Sequence, residues 1–255
     1  MRAIGMIALL AAVLYLAACA ALFAFQRSLI YHPQPAADGS GSTLRLAVAD
    51  AEVIVSTRPH AGPGAIVYFG GNAEDATQSL PALAAAFPDQ AIYLLHYRGY
   101  GGSSGAPSEL AIAGDALALF DQLHARHGRI SVIGRSLGSG VAIRLASERP
   151  VARLVLVTPF DSLEQIAAAH FPFLPVRALL RDKFQSWRYA PRIAAPTLLI
   201  AAQDDEVIPR ASTDLLLTRF GKGIARLEVV ASSSHNSIAQ RAQYVRLLRT
   251  ALSPD

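Results

Sequence analysis

Residues 130–140, Ile-Ser-Val-Ile-Gly-Arg-Ser-Leu-Gly-Ser-Gly, constrain the fold of this chain more than any other stretch. The apolar run Ile130 to Ile133 reads as a buried strand, and Val141, Ala142 and Leu145 have helical spacing. Between them stands Gly134-Arg135-Ser136-Leu137-Gly138, of the form Gly-x-Ser-x-Gly. Strand, sharp turn and helix together are the context of a nucleophile elbow. The serine must sit in a strained turn with its oxygen exposed, so its neighbours two before and two after must be nearly free of side chain. Gly134 and Gly138 meet that need. A helix starting behind Ser136 would point its positive end at an anion forming there.

A glycine-rich turn is common, so the rest of the chain must carry the reading. With 255 residues, 52% of them apolar and 16% charged, the chain can bury one large core. The net charge of +4 is modest and no dense Lys/Arg run occurs, which argues against a nucleic-acid partner. The single Cys19 excludes an internal disulfide.

Ala3 to Phe25 is uncharged and almost wholly apolar, bounded by Arg2 and Gln26-Arg27. As a helix it reaches roughly 35 Å, enough for a bilayer core of ~30 Å. Residues 1–27 are therefore expected to be a single-pass anchor, of the bacterial inner-membrane kind. Two other fates compete. A cleaved secretory signal has a shorter apolar part, about 7–15 residues. Leu16-Ala17-Ala18-Cys19 resembles a lipobox, but the apolar run continues past Cys19. The flanking charges barely decide sidedness.

Residues 28–42 form a linker with turn signals at His32-Pro33, Gln34-Pro35 and Asp38-Gly39. Strands are expected over Thr43–Ala49, Glu52–Thr57, Ala65–Phe69, Ala91–His96, Ile130–Ile133, Leu154–Thr158, Pro196–Ala202 and Arg226–Val230. Helices are expected over Asp75–Phe87, Ser108–His124, the segment after Ser136, Ser212–Phe220 and Asn236–Leu252. Strands alternating with helices predict an α/β fold, a mainly parallel eight-stranded sheet covered on both faces, over residues 43–255. Residues 161–193 break the rhythm with aromatics and prolines, and read as a lid or cap inserted over the site.

A serine hydroxyl needs a base within hydrogen-bond reach and a carboxylate to orient that base. Both follow Ser136 at the ends of later strands. Asp204-Asp205-Glu206 stands after one, and Ser234-His235-Asn236 after the next. His96 is a rival base, but it precedes Ser136 and a packing or substrate-facing role suits it better. His32, His60, His124, His127 and His170 have no evident partner in the sequence. A developing oxyanion needs backbone donors. The amide of Leu137 is one, and the Gly70-Gly71-Asn72-Ala73-Glu74 loop offers the other, with Asn72 preferred.

These residues resemble the membrane-anchored α/β-hydrolase domain proteins, a branch of the serine hydrolases. The resemblance spans nearly the whole chain. Phe25 to Pro33 looks like the family's junction between anchor and domain, and Tyr97-Arg98-Gly99-Tyr100-Gly101-Gly102-Ser103-Ser104-Gly105 is its most distinctive signature. Tyr68 to Glu74 resembles its oxyanion loop, with Gly70 where histidine is commoner; Ser234 stands where glycine is commoner. In Asp205-Glu206-Val207-Ile208-Pro209 the family's acid lies four before the proline, so the resemblance selects Asp205 over Asp204. It implies an α/β-hydrolase fold and a Ser136–His235–Asp205 triad. It also implies that Arg98 holds the strand-exit loop through ion pairs.

The expected activity is hydrolysis of carboxylic esters or thioesters through an acyl-enzyme, with no metal or organic cofactor required. The partners expected are a small-molecule or lipid-like acyl substrate and the membrane. Peptide hydrolysis of the prolyl-oligopeptidase kind and a non-catalytic membrane scaffold are the alternatives.

Overall fold

A computed structural model describes residues 1–37 and 42–253. The expected Asp38-Gly39 turn lies outside the described residues. Helix α1 spans Arg2–Ile30 and is long and apolar enough to cross a membrane. It runs three residues into the expected linker because nothing stops it before His32-Pro33. A residue preceding proline is forced out of helical geometry, and Tyr31 is already extended at φ −102° and ψ 126°.

Eight strands make one sheet: β1 (Ser42–Val48), β2 (Ala51–Arg58), β3 (Gly64–Phe69), β4 (Ala91–Leu95), β5 (Arg129–Arg135), β6 (Arg153–Val157), β7 (Thr197–Ala202) and β8 (Ala225–Val230). Their order is β1-β2-β4-β3-β5-β6-β7-β8. β1 pairs antiparallel with β2 and β2 with β4; every other pair is parallel. Every residue of β3, β4 and β7 is buried. That is why these strands read as unbroken apolar runs rather than alternating ones: helices cover both faces.

Helix α2 (Leu80–Ala86), α3 (Glu109–His124), α4 (Leu137–Glu148), α5 (Leu163–His170), α6 (Val176–Leu179), α7 (Arg210–Leu217) and α8 (Ala242–Leu252) complete the chain. Ser108 caps α3, accepting from the Ala111 amide at 3.2 Å. Three helices differ from expectation. The one expected over 75–87 opens as a 3₁₀ turn, Ala76–Ser79, and becomes α2 only before Pro81, where a missing N–H costs nothing. The one expected from Asn236 is a 3₁₀ turn, Ile238–Gln240, and α8 follows from Ala242. The one expected over 212–220 starts earlier, at Arg210 directly after Pro209.

Residues 161–193 fold as α5, α6 and two 3₁₀ turns, Ser186–Arg188 and Ala190–Arg192. They pack against the last turns of α1. Gln26 donates from Nε2 to the Leu179 carbonyl at 3.1 Å and accepts from the Arg181 amide at 2.6 Å. Arg27 Nε donates to Asp182 at 2.9 Å, and the Tyr31 hydroxyl donates to the same carboxylate at 3.1 Å.

Candidate active site

β5 delivers Ser136 to the carboxyl edge of the sheet, and α4 begins at the next residue. Ser136 adopts φ 50° and ψ −117°, a conformation that costs a non-glycine residue on the order of 1–3 kcal/mol. The surroundings hold it there. Its amide donates to the Val157 carbonyl at 2.9 Å, and its carbonyl accepts from the Ser139 hydroxyl at 2.6 Å. The flanking glycines are needed for space. A Cβ on Gly134 would stand 2.6 Å from Ala142 Cβ, and one on Gly138 would overlap the Phe69 carbonyl oxygen and lie 2.6 Å from that of Gly70.

The loops after β7 and β8 bring two further groups to Ser136. His235 Nε2 lies 3.0 Å from Ser136 Oγ, and His235 Nδ1 lies 3.0 Å from each Asp205 carboxylate oxygen. Asp205 Oδ1 also accepts from the amides of Val207 at 3.0 Å and Ile208 at 2.8 Å. Burial works to raise the Asp205 carboxyl. The bond from His235 and the two amides outweigh it and hold the group below its ordinary value. An ionised Asp205 keeps the proton on His235 Nδ1 and leaves Nε2 free to accept from the serine hydroxyl.

The three acids of the post-β7 loop take separate tasks. Asp205 meets the imidazole, Glu206 accepts from the His235 amide at 3.2 Å, and the Asp204 amide donates to the Ser233 carbonyl at 2.9 Å.

The loop after β3 passes close to the serine: a Cβ on Gly71 would lie 3.7 Å from Ser136 Cβ. Asn72 is pinned on three sides. Its side-chain amide donates to the Ile30 carbonyl at 2.9 Å, and its carbonyl accepts from the His32 amide at 3.0 Å and the Tyr100 hydroxyl at 2.6 Å. The Leu137 amide occupies the first turn of α4, where helix geometry provides no acceptor.

Glu74 organises the same loop, a role that leaves no signal in the sequence. It accepts from the Tyr68 hydroxyl at 2.6 Å, the Gly71 amide at 2.9 Å, Ser79 Oγ at 3.0 Å and Arg135 Nη1 at 3.2 Å. Both Glu74 and Arg135 lie inside recognisable motifs, but they are 61 residues apart and no spacing predicts their pairing.

Ser136 sits where two chambers meet. One is an apolar cavity of about 280 Å³ whose lining includes Leu137, Phe160, Leu163, Leu174 and Ile208. The other is a polar cleft of about 890 Å³ bordered by His32, Glu74, Arg135, His235 and Asn236. Four residues of the apolar cavity come from α1: Leu22, Gln26, Leu29 and Ile30. The sequence suggested no such contribution, because an apolar helix reads the same whether or not it touches a site.

The rival base is occupied elsewhere. His96 Nε2 bonds Ser56 Oγ at 2.8 Å and is buried; burial lowers its pKa against the opposing pull of Asp75. His127 bonds the Tyr93 hydroxyl at 2.9 Å and the Gly62 carbonyl at 3.0 Å, and His170 bonds the Ile166 carbonyl at 2.9 Å. Arg98 forks onto Asp115 with two bonds of 2.9 Å and also pairs with Asp50, tying the post-β4 loop to α3 and the β1–β2 turn as expected.

Comparisons with known proteins agree with this architecture. Residues 60–245 match the model of the alpha/beta hydrolase family. An uncharacterised protein of Mycobacterium tuberculosis is 36% identical over 229 residues, covering 83% of this chain and 80% of that protein. Lysophosphatidylserine lipase ABHD12 of Macaca fascicularis is 35% identical over 133 residues, covering 44% of this chain and 33% of its own length. Among solved structures, an esterase of Pyrococcus furiosus superposes with a TM-score of 0.69 at 17% identity, covering 88% of this chain and 98% of that one. A hydrolase of Pseudomonas aeruginosa gives 0.66 at 23% identity, covering 85% and 100%. The eight-stranded sheet, the turn that presents Ser136 and the family match over residues 60–245 lead to one conclusion: the chain belongs to the alpha/beta hydrolase family.

Proposed function

We propose that this hydrolase cleaves carboxylic ester or thioester bonds with Ser136 as nucleophile. The observation that carries the reading is the continuous relay from Ser136 Oγ to His235 Nε2 at 3.0 Å and from His235 Nδ1 to Asp205 at 3.0 Å. Ser136 Oγ attacks the acyl carbon while His235 Nε2 takes its proton. Asp205 holds the imidazole tautomer and stabilises the imidazolium. The amides of Leu137 and Asn72 receive the oxyanion. His235 then protonates the leaving group, and the acyl group stays on Ser136 as an ester. Water, losing a proton to His235, attacks that ester, releases the acid and regenerates the serine.

The two chambers suggest how a substrate lies. An acyl chain fits the apolar cavity, and a polar leaving group fits the cleft that contains His235. Such a substrate is an amphiphile, in keeping with the similarity to the lysophosphatidylserine lipase of Macaca fascicularis, which covers under half of this chain. The same reading takes α1 as a retained membrane anchor. Its last turns are bonded to the domain through Gln26 and Arg27, contacts that a cleaved signal would take away. Residues 161–193 act as the cap over the site.

The test is labelling by a fluorophosphonate probe, with hydrolysis of p-nitrophenyl esters from acetyl to palmitoyl. Labelling and turnover that vanish in Ser136→Ala, with thermal unfolding unchanged, support the reading. Folded protein that neither labels nor hydrolyses would make the chain a scaffold.

A further inference from the structure

We infer that the tip of the 161–193 cap inserts into the same membrane leaflet as α1, so that the seam between them is a doorway by which an acyl chain passes from the bilayer to Ser136. This rests on the serine-hydrolase reading for its chemistry, but its geometry stands apart from that reading.

The first observation is length. α1 has 29 residues, roughly 44 Å of helix, against ~30 Å of hydrocarbon. The excess of roughly nine residues matches the stretch from Leu22 to Ile30, which lines the cavity. The cavity therefore lies at the membrane interface, with one wall made by the anchor itself.

The second observation is where the cap touches α1. The Tyr15 hydroxyl donates to the Phe173 carbonyl at 2.9 Å. Tyr15 lies about two helical turns deeper along α1 than Leu22. The cap tip thus runs alongside a part of α1 that length places within hydrocarbon.

The third is the chemistry of that tip. Phe171-Pro172-Phe173-Leu174-Pro175-Val176 carries no charge. Phe173 is 88% exposed and Phe171 55%, although both are large aromatics. In water that exposure is unfavourable; in acyl chains it is favourable. Backbone in hydrocarbon must satisfy its polar groups internally, and this segment largely does. Pro172 and Pro175 have no amide proton. The amides of Phe171, Leu174 and Val176 donate to the carbonyls of Ala167, Phe171 and Leu174 at 2.9, 3.1 and 2.8 Å. Tyr15 supplies the donor for Phe173. Arg177 follows at once and Arg181 four residues later, and the Arg181 guanidinium lies 4.1 Å from the centre of the Phe23 ring, an arrangement suited to headgroup level.

The seam is stitched by polar bonds at Gln26 and Arg27 and is apolar towards the tip, where Phe171 and Leu174 border the cavity. A bilayer-resident acyl chain can slide along that apolar side without crossing water.

The full chain, reconstituted in phosphatidylcholine vesicles, tests this with two substrates: p-nitrophenyl palmitate dissolved in the bilayer and p-nitrophenyl acetate in the aqueous phase. Phe173→Asp should lower palmitate turnover about tenfold and leave acetate turnover unchanged, because a carboxylate at the tip resists insertion while Phe173 lies outside the cavity lining. Phe173→Trp should retain both. An unchanged palmitate-to-acetate ratio in folded Phe173→Asp overturns the doorway. A second readout needs no turnover. With Trp187→Phe removing the native tryptophan, Phe173→Trp fluorescence should be quenched by lipids brominated along the acyl chain, and absence of quenching also overturns the doorway. Loss of acetate turnover and probe labelling in the wild type, with quenching present, would remove the hydrolase reading and leave the insertion standing.

Discussion

The side-chain amide of Asn72 donates to the carbonyl oxygen of Ile30 at 2.9 Å, so the loop beside Ser136 is tied to the last residue of α1. The His32 amide returns the link by donating to the Asn72 carbonyl at 3.0 Å. Asn72→Ala keeps the backbone amide proposed for the oxyanion but cuts its tether. Complete removal of an oxyanion donor costs on the order of 10²–10³ in kcat. Loss of positioning alone should cost less, about tenfold, and should appear in kcat for p-nitrophenyl acetate with KM little changed. A purely structural role would instead lower the melting temperature and leave kcat per folded molecule intact.

In the proposed mechanism Asp205, 3.0 Å from His235 Nδ1, fixes which nitrogen of the imidazole carries the proton. Asp205→Asn can donate to Nδ1 and so favours the tautomer whose Nε2 cannot accept from Ser136. A loss of about 10⁴ in kcat is expected, with a similar slowing of fluorophosphonate labelling. The same carboxylate contributes to stability. Its folded pKa lies below the unfolded value of about 3.9, so its contribution is present above that pH and is lost as pH falls through the folded value. Urea midpoints between pH 5 and pH 2 should fall less steeply in Asp205→Asn than in the wild type.

Much of this site was legible in the sequence, for reasons that differ between residues. Ser136 announces itself because its strained turn needs Gly134 and Gly138 in fixed places. His235 and the acidic cluster follow because parallel strands deliver their loops to one edge of the sheet. Choosing among Asp204, Asp205 and Glu206 needed a family resemblance, since three adjacent acids differ only in where the turned loop aims them. The Glu74–Arg135 pair and the α1 wall of the cavity were invisible. Each depends on contacts distant in sequence, and neither local propensity nor periodicity encodes these. The helices expected from Asp75 and Asn236 open instead as the 3₁₀ turns Ala76–Ser79 and Ile238–Gln240 for a related reason: apolar spacing cannot tell a 3₁₀ turn from the first turn of an α-helix.

His96 is buried as a neutral imidazole bonded to Ser56 at 2.8 Å, with Thr77 at 3.4 Å and Asp75 as the nearby charge. Its folded pKa is depressed, so the unfolded chain binds a proton more readily. Stability should therefore decline as pH falls below the unfolded histidine value of about 6.5, down to the folded value. His96→Gln, which retains a hydrogen-bonding group without titrating, should flatten that decline. Urea midpoints at pH 7.5 and pH 5.5 decide it: equal pH dependence in the two proteins would show that His96 does not carry the effect.

Two glycines on helices should respond oppositely to the same substitution. Gly138 lies in the first turn of α4, where an added Cβ would overlap the Phe69 carbonyl and lie 2.6 Å from that of Gly70. Both contacts are backbone and cannot swing away, so α4 must move relative to β3. Gly138→Ala should cost about 1–3 kcal/mol and displace the Leu137 amide, lowering fluorophosphonate labelling per folded molecule. Gly114 is exposed in the interior of α3 with nothing within 4 Å of an added Cβ. There alanine removes backbone freedom from the unfolded chain without a clash, and Gly114→Ala should stabilise by about 0.4–1 kcal/mol with labelling unchanged. Thermal unfolding of the two variants beside the wild type reads both effects. Equal behaviour would mean that the close approach of α4 to the β3 loop does not determine how Ser136 is presented.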